Sequence, residues 1–205
     1  MSEQTLKIGV LISGSGTNLQ AIIDAIDEGR LNCEVVSVLS SREGAYGIER
    51  AIEAGIDAHV MAKADYDDPY AADAKIVEIM DAAGADYLVM AGYMRKLTPV
   101  VLSAYPNRVL NLHPALLPSF KGAHAIVDAW ERGVKVTGVT VHFANEDYDM
   151  GPIIAQRAVE IYESDTIDTL EERIHDVEHV LYPEVLQLLA EGRVVIDDEG
   201  KVHIK

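Results

Sequence analysis

Two side chains with complementary chemistry follow one apolar run in the second half of the sequence. The run Val109 to Leu112 is typical of a buried strand; it contains Asn111 and leads into His113. Because side chains alternate along a strand, Asn111 and His113 are predicted to face the same side, where both can act on one atom. An amide N–H and an imidazolium directed at one carbonyl oxygen would stabilise the oxyanion of an acyl transfer. The open alternative is a histidine that only satisfies a backbone carbonyl at the strand end.

An acidic loop supplies the third candidate, within the segment Asn145-Glu146-Asp147-Tyr148-Asp149-Met150-Gly151-Pro152. A carboxylate folded over His113 would favour the protonated imidazole and could accept a proton through water. Asp149 is the best placed of these carboxylates because it lies close to the start of the next apolar strand. A loop that is acidic only because it is solvated remains the alternative.

A glycine-rich turn, Ser13-Gly14-Ser15-Gly16-Thr17-Asn18, joins the first apolar run to a helical pattern. Free backbone N–H groups and the positive end of a helix would converge there, which indicates a phosphate site. A dinucleotide-binding fingerprint would need glycine where Leu19 stands and an acid where Ser40 and Ser41 end the second strand. A nicotinamide cofactor is therefore disfavoured. A turn without a ligand stays open.

The segment His175-Asp176-Val177-Glu178-His179 matches the H-x-x-E-H pattern of inverted zinc proteases. Five positions often match by chance, and a third zinc ligand would have to come from a distant segment. No second signature accompanies the match. Zinc proteolysis is therefore disfavoured, and we predict no metal site.

Alternating strand and helix patterns must position these residues. The predicted strands are Ile8 to Ile12, Val35 to Leu39, Tyr87 to Ala91 and Val109 to Leu112. The predicted helices are Asn18 to Glu28, Ala45 to Ala54 and Tyr70 to Ala83, each followed by a glycine. This alternation predicts an α/β fold: a doubly wound, mostly parallel sheet with helices on both faces, of the Rossmann-like type.

The second half adds two strands without a helical period between them. These strands, Val136 to Phe143 and Ile153 to Ile161, are expected to flank an active-site loop. The longest helix candidate, Thr169 to Ala190, contains Pro183, which should break or kink it. A hairpin, Arg193 to Ile196 with Val202 to Ile204, is predicted at the end.

Composition excludes several classes of protein. The 205 residues include 34 acidic and 17 basic side chains, and the formal charge of -17 would repel nucleic acid and anionic membranes. The longest apolar run is far shorter than the roughly 20 residues of a membrane helix, so we expect a soluble, cytoplasmic protein. Cys33 is the single cysteine, and its apolar surroundings predict a buried thiol.

Three segments together carry a family resemblance: Ser13 to Asn18, Asn111 to Pro118, and Gly138 to Phe143 running on to Pro152. They resemble the phosphoribosylglycinamide formyltransferases of the folate-dependent formyltransferase superfamily. The Gly138 to Ile154 pattern is specific to the superfamily, and the Gly14 to Asn18 loop favours the purine enzymes within it. The resemblance covers nearly the whole chain. It implies one formyltransferase domain over residues 1–205, with a ribonucleotide phosphate-binding half at 1–110 and a catalytic and folate-binding half at 111–205.

The resemblance implies a role for each matching residue. The family's catalytic asparagine, histidine and aspartate match Asn111, His113 and Asp149. The ribonucleotide would contact the glycine-rich turn and the last helix, at Gly14, Ser15, Gly16, Thr17, Asn18, His175 and Glu178. The folate pocket would involve Met94, Arg95, Lys96, Leu97, Asn111, Asn145, Glu146, Asp147, Tyr148 and Asp149. His124 and His142 also match family positions near the site.

The implied reaction moves the formyl group of 10-formyltetrahydrofolate, a co-substrate, to the amine of N1-(5-phospho-D-ribosyl)glycinamide in purine (IMP) biosynthesis. The implied partners are these small molecules, without nucleic acid, membrane or metal, and the chain would be a monomer or a homodimer. One departure concerns an arginine that helps many relatives to hold folate, because this chain has Pro69 there. Lys63 and Arg95 are the candidates to replace it.

Three alternative functions stay open. Formyltetrahydrofolate deformylase has a similar core, but it usually carries an additional N-terminal domain, whereas the first strand here begins by Lys7. Methionyl-tRNA formyltransferase normally adds a C-terminal RNA-binding domain, and a charge of -17 suits tRNA poorly. The third alternative is a non-catalytic nucleotide-binding module, against which the combination of Asn111, His113 and Asp149 argues.

The acidic excess is compatible with a salt-rich cytoplasm or with an ordinary acidic protein. In the first case, salt screens the repulsion between carboxylates and stabilises the fold. We therefore expect the melting temperature to rise between about 0.1 M and about 1 M potassium chloride, as the Debye length falls from about 10 Å to about 3 Å. Thermal unfolding followed by circular dichroism measures this. A flat or falling melting temperature would exclude the salt-adapted interpretation.

Overall fold

The computed structural model describes residues 5–205, and a seven-stranded sheet lies at its centre. Its strands are β1 (Leu6–Ile12), β2 (Cys33–Ser40), β3 (Ala58–Val60), β4 (Tyr87–Met90), β5 (Val109–His113), β6 (Val136–Phe143) and β7 (Ile153–Glu160). The helices are α1 (Thr17–Asp27), α2 (Tyr46–Glu53), α3 (Pro69–Ala83), α4 (Pro99–Ala104), α5 (Ala125–Arg132) and α6 (Ile167–Ala190). A short 3-10 helix covers Lys63–Asp67, and a hairpin pairs β8 (Val194–Ile196) with β9 (Val202–Ile204).

The strand order is β3-β2-β1-β4-β5-β6-β7. Strands β1 to β5 are parallel, whereas β6 runs antiparallel to both β5 and β7. This confirms the predicted doubly wound, mostly parallel sheet. The order reverses between β1 and β4, and a crevice outside the carboxyl ends of the strands is expected at such a point.

Side-chain alternation divides the core between the two faces of the sheet. On β1, Ile8, Val10 and Ile12 pack in a cluster with α1 and α6, whereas Leu11 packs in a second cluster with α3 and α4. All four side chains are fully buried. Helices cover both faces of the sheet, which is why the central strands are apolar on both sides. The polar residues at the strand ends lie outside this core and can form a site.

The predicted helices and strands are confirmed with small shifts at their ends, but four short elements escaped prediction: β3, the 3-10 helix, α4 and α5. The expected interruption at Pro183 is wrong, since α6 is one helix from Ile167 to Ala190. Proline removes a single backbone donor, and its neighbours Tyr182, Val185 and Leu186 are buried in the core. Their packing keeps the helix continuous.

Cys33 begins β2 and is buried, as predicted. Burial raises the pKa of its thiol to about 12, because the thiolate would lose its solvation. No helix within residues 5–205 is both long and apolar enough to cross a membrane.

The Tyr182 hydroxyl ties α6 to the two central strands. It donates to the carbonyl oxygens of Met90 at 3.1 Å and Leu110 at 3.2 Å, inside the core.

We expect Tyr182→Phe to lower the free energy of unfolding by about 1–3 kcal/mol, because these buried carbonyls lose a donor. Urea denaturation measures the change. Tyr70→Phe, at a largely exposed tyrosine on α3, is the control and should leave stability unchanged; equal effects of both substitutions would contradict the prediction.

Candidate active site

A cavity of about 380 Å³ lies where the strand order reverses. Its walls come from the turn after β1, the segments after β4 and β5, the loop before α5, and the first half of α6. Segments distant in the sequence therefore meet at the carboxyl ends of neighbouring strands, as the topology predicts.

The glycine-rich turn forms one end of this cavity. Gly16 precedes α1 with φ 71°, a left-handed conformation that suits glycine, and no side chain caps the helix. The first backbone N–H groups of α1 are consequently available to a ligand. A Cβ atom on Gly16 would lie 2.6 Å from the Cα of Gly47, so the turn and α2 touch closely at this point.

Two residues of α2 hold the turn in shape, and sequence reasoning missed both. Gly47 donates its backbone N–H to the Gly14 carbonyl at 3.1 Å, and Arg50 donates Nε–H to the Ser15 carbonyl at 2.9 Å. With these two carbonyls engaged on the α2 side, the N–H groups of the turn face the opposite way. The sequence Y-G-I-E-R after β2 carries no local signal for this role, because the contact joins segments that are distant in the sequence.

Asn18 and Glu178 meet at the contact between α1 and α6. Asn18 Nδ2 donates to Glu178 Oε2 at 2.9 Å, and both residues are buried and line the cavity. Burial raises the pKa of Glu178, an effect that the hydrogen bond from Asn18 opposes. The Asn18 Oδ1 atom is buried and has no hydrogen-bond partner within residues 5–205. This unsatisfied acceptor is available to a donor on a ligand.

His175 lines the cavity one helical turn before His179, with their ring centroids 6.3 Å apart. Its Nε2 lies 4.0 Å from Glu171 Oε1 on the same helix. The predicted ribonucleotide contacts of α6, His175 and Glu178, thus face the same space as the glycine-rich turn. His175 and Glu178 of the H-x-x-E-H match therefore lie on the face of α6 that lines the cavity.

Asn111 and His142 are cross-strand partners on β5 and β6. The His142 Nδ1–H donates to the Phe143 carbonyl at 2.9 Å, since a carbonyl can only accept. Burial lowers the pKa of His142 and keeps the ring neutral, so its Nε2 accepts from Asn111 Nδ2 at 3.1 Å. This bond orients the Asn111 amide and leaves its second N–H free for the cavity.

His113 lies between two acceptors. Its Nε2 donates to the Phe120 carbonyl at 2.8 Å, and its Nδ1 is 3.5 Å from Asp149 Oδ2. Each ring nitrogen of His113 therefore faces an oxygen atom that can accept a hydrogen bond. The loop carbonyl of Phe120 occupies the Nε2 donor here, and the joint action of Asn111 and His113 on one carbonyl oxygen stays a prediction.

Asp149 is buried, with 5% of its surface exposed, and it adopts φ 54°. Such a backbone angle is uncommon outside glycine and is often found at functional sites. Its Oδ2 accepts from the Gly122 backbone N–H at 2.8 Å, and its Oδ1 is 3.8 Å from His142 Nε2. The three predicted catalytic residues are therefore brought together.

Gly151 allows the acidic loop to fold back over the strand ends. A Cβ atom at this position would lie 1.7 Å from the Phe143 carbonyl oxygen, which leaves no space for any other residue. Thr140 fixes the segment after β5 by two hydrogen bonds. Its hydroxyl donates to the Ala115 carbonyl at 2.6 Å and accepts from the Leu117 N–H at 3.1 Å. Both contacts hold His113 and Asp149 in register.

A smaller cleft of about 30 Å³ opens beside Asn111, on the other side from the glycine-rich turn. Predicted folate residues line it: Arg95, Lys96, Leu97, Asn111, Asn145, Tyr148 and Asp149. Met94 lines the larger cavity instead. Glu146 and Asp147 are exposed and line none of these cavities, so the structure does not bring them to the predicted pocket.

Comparison with known proteins places this geometry in a family. A family model described as formyl transferase matches residues 6–186. Glycinamide ribonucleotide transformylase 1 from Symbiobacterium toebii is 50% identical and has a TM-score of 0.95, with 100% of this chain and 95% of that chain covered. Phosphoribosylglycinamide formyltransferase from Escherichia coli K12 is 40% identical over 195 residues, which are 95% of this chain and 92% of that protein.

The chain also matches much longer proteins. The trifunctional purine biosynthetic protein adenosine-3 of Chironomus tentans is 43% identical over 195 residues, and the chain spans 14% of its length. The family model covers most of this chain, and the Escherichia coli protein matches it nearly end to end. The chain belongs to the formyl transferase family.

Proposed function

We propose that the chain transfers the formyl group of 10-formyltetrahydrofolate to the amine of N1-(5-phospho-D-ribosyl)glycinamide, giving the formylated ribonucleotide and tetrahydrofolate in purine biosynthesis. The observation that carries the proposal is that Asn111 and His113 border a cavity whose other end is an open helix N-terminus, with Asp149 3.5 Å from the His113 ring. A phosphate bound at Gly14 to Asn18 would orient the rest of the ribonucleotide towards Asn111. The protein names of the relatives agree with this substrate.

In the proposed reaction the amine attacks the formyl carbon, and its nitrogen forms the new C–N bond. The carbonyl oxygen becomes an oxyanion beside the free N–H of Asn111, which His142 holds in position. The intermediate collapses when the bond from carbon to N10 breaks. The amine loses a proton and N10 gains one, so Asp149 is suited to relay the proton through a water molecule.

His113 would assist the oxyanion after a local rearrangement. Its Nε2–H is now engaged by the Phe120 carbonyl, and its other nitrogen faces Asp149. We expect substrate binding to displace the loop that carries Phe120 and to release this donor. Asp149 can stay beside the ring when Phe120 moves, because it contacts the other ring nitrogen, Nδ1, at 3.5 Å.

The folate pocket also requires movement. A cleft of about 30 Å³ is far smaller than the roughly 300–1,000 Å³ typical of ligand pockets, so the loop of Asn145 to Asp149 would open to admit the donor. Tyr148 and Met150 in this loop are large apolar side chains that are about half exposed, which is consistent with a contact completed by the ligand. Glu146 and Asp147 would contribute after that movement.

A direct assay separates the proposed function from its alternatives. Purified protein is incubated with 10-formyltetrahydrofolate, with and without glycinamide ribonucleotide, and formylated nucleotide and free formate are quantified. Formylated nucleotide without excess formate supports the proposal. Formate released without the ribonucleotide would indicate a deformylase, and neither product would indicate a non-catalytic binding module.

The phosphate assignment predicts a selective effect of Gly16→Val. The new side chain collides with Gly47 and disfavours φ 71°, so the N–H groups that would hold phosphate move. We expect the Kd for the ribonucleotide to rise about ten- to a hundredfold, equivalent to a charge-assisted hydrogen bond of about 1.5–3 kcal/mol, while folate binding is retained. Gly29→Val, at the same φ but with free space around it, controls for backbone strain. Equal loss of both affinities would contradict the phosphate assignment.

The catalytic assignment predicts that Asp149→Asn and Asn111→Ala act on the chemical step. Asn111→Ala should lower the single-turnover rate about a hundred- to a thousandfold, the effect of losing an oxyanion contact worth about 2.7–4 kcal/mol. Asp149→Asn should lower it by about a hundred- to ten-thousandfold, because the proton relay loses its acceptor. Neither substitution should change ribonucleotide affinity much. Rapid-quench kinetics at saturating donor measures the rate. Asp198→Asn, at an exposed carboxylate of the terminal hairpin, serves as the control. An unchanged rate in Asp149→Asn would move the role to Glu146 or Asp147.

A further inference from the structure

Gln156, an exposed residue on the edge strand β7, reaches the segment that follows His113. Its Nε2 atom donates to the Leu117 carbonyl at 2.9 Å and to Thr140 Oγ1 at 3.0 Å. The residue lines neither cavity of the candidate active site. None of the functions described above uses it, although both hydrogens of its amide are directed at one part of the backbone.

A row of three polar side chains connects this glutamine to the site. His113, Thr140 and Gln156 are cross-strand neighbours on β5, β6 and β7. Thr140, in the middle, is fully buried, and its hydroxyl hydrogen goes to the Ala115 carbonyl at 2.6 Å. Its oxygen therefore accepts from the Leu117 N–H and from the Gln156 amide, which fills every hydrogen-bonding position of the hydroxyl. Gln156 thus completes the set of contacts that holds the segment after β5.

The segment after β5 has a buried part and an exposed part. Ala115 and Leu117 are buried, whereas Pro118 and Ser119 are exposed. The Leu117 carbonyl, to which Gln156 donates, is the last backbone group before the exposed part begins. The glutamine therefore marks the boundary between the two parts.

The exposed part approaches the catalytic residues with a strained backbone. Phe120, whose carbonyl accepts from His113, has φ 52°, and Gly122, whose N–H donates to Asp149, has φ 100°. A left-handed angle is unfavourable for a side chain as large as phenylalanine. The exposed part can therefore leave its contacts more readily than the part that Thr140 and Gln156 hold.

We propose that Gln156 is a positioning residue that fixes the segment after β5 up to Leu117, so that the loop carrying Phe120 moves while His113 stays beside Asp149. The inference rests on the proposed function, in which Phe120 releases the His113 donor. The Ala115 N–H donates to the His113 carbonyl at 2.9 Å, so any displacement of the buried part is transmitted to the end of β5. Gln156 stops the movement before it reaches that point.

The test removes the donors of Gln156 and keeps the shape of its side chain. In Gln156→Glu the Leu117 carbonyl and Thr140 face a carboxylate, which can only accept when ionised. We expect the single-turnover rate at saturating substrates to fall about tenfold, as for the loss of a hydrogen bond, while the Kd for the ribonucleotide changes less than about twofold. Gln156→Lys keeps a donor within reach of both acceptors and should restore most of the rate.

Gln187→Glu is the matched control, with the same change of shape and charge. Gln187 lies near the end of α6 and accepts from the Asn32 N–H, just before β2 and at the opposite end of the sheet from the site. Its oxygen is retained in the variant, so the wild-type rate is expected.

Hydrogen exchange followed by NMR reports on the segment itself. The Leu117 N–H donates to Thr140 Oγ1 at 3.1 Å and should exchange about tenfold faster in Gln156→Glu, because the segment opens more often. The amide of Val10, a fully buried residue of β1, should keep its exchange rate and serves as the reference for global stability.

The outcomes distinguish the role of Gln156 from the proposed function. No formyl transfer by the wild type would overturn the proposed function. Transfer by the wild type at a rate that Gln156→Glu leaves unchanged would overturn only the positioning role. A loss that Gln156→Lys does not restore, an equal loss in Gln187→Glu, or faster exchange at both Leu117 and Val10 would also overturn it, because each would assign the effect to charge or to general destabilisation.

Discussion

The buried carboxylate of Asp149 is the constraint around which the site is organised. Moving a carboxylate out of water costs several kcal/mol unless hydrogen bonds and charge compensate for it. Here no lysine or arginine forms an ion pair with it within residues 5–205, and compensation comes from the Gly122 N–H and the His113 ring. Through these contacts Asp149 joins the loop before α5, the end of β5 and the acidic loop. Gly151 permits that arrangement by leaving the space that a side chain would occupy.

The cavity of about 380 Å³, which is the proposed ribonucleotide site, is lined mainly by neutral groups. Its lining contains no lysine or arginine within the described chain, although the proposed substrate carries a phosphate. Oriented backbone dipoles at the start of α1 would bind this phosphate, and Arg50 holds the turn that precedes them. Positive charge is instead concentrated in a neighbouring cavity, which Arg42, Lys63 and Arg95 line.

Much of this structure was predictable because its signals are local. Strand and helix periods predicted the doubly wound sheet, and strand alternation brought Asn111 and His113 to one site. Contacts between distant segments had no such signal, which is why the Phe120 carbonyl against His113 was missed. The helix through Pro183 shows that packing between distant segments can override a local signal. Burial of the residues next to this proline outweighed its low helix propensity. Short elements such as α4 and α5 carry too few residues to show a clear period.

The burial of Cys33 has a practical consequence for measuring motion in this protein. It is the chain's single thiol, it is 4% exposed, and its pKa of about 12 keeps it protonated and unreactive near neutral pH. A cysteine introduced at Tyr148 would therefore carry a fluorophore alone, without removal of the native thiol. Such a label would report in real time how the acidic loop moves as each substrate binds.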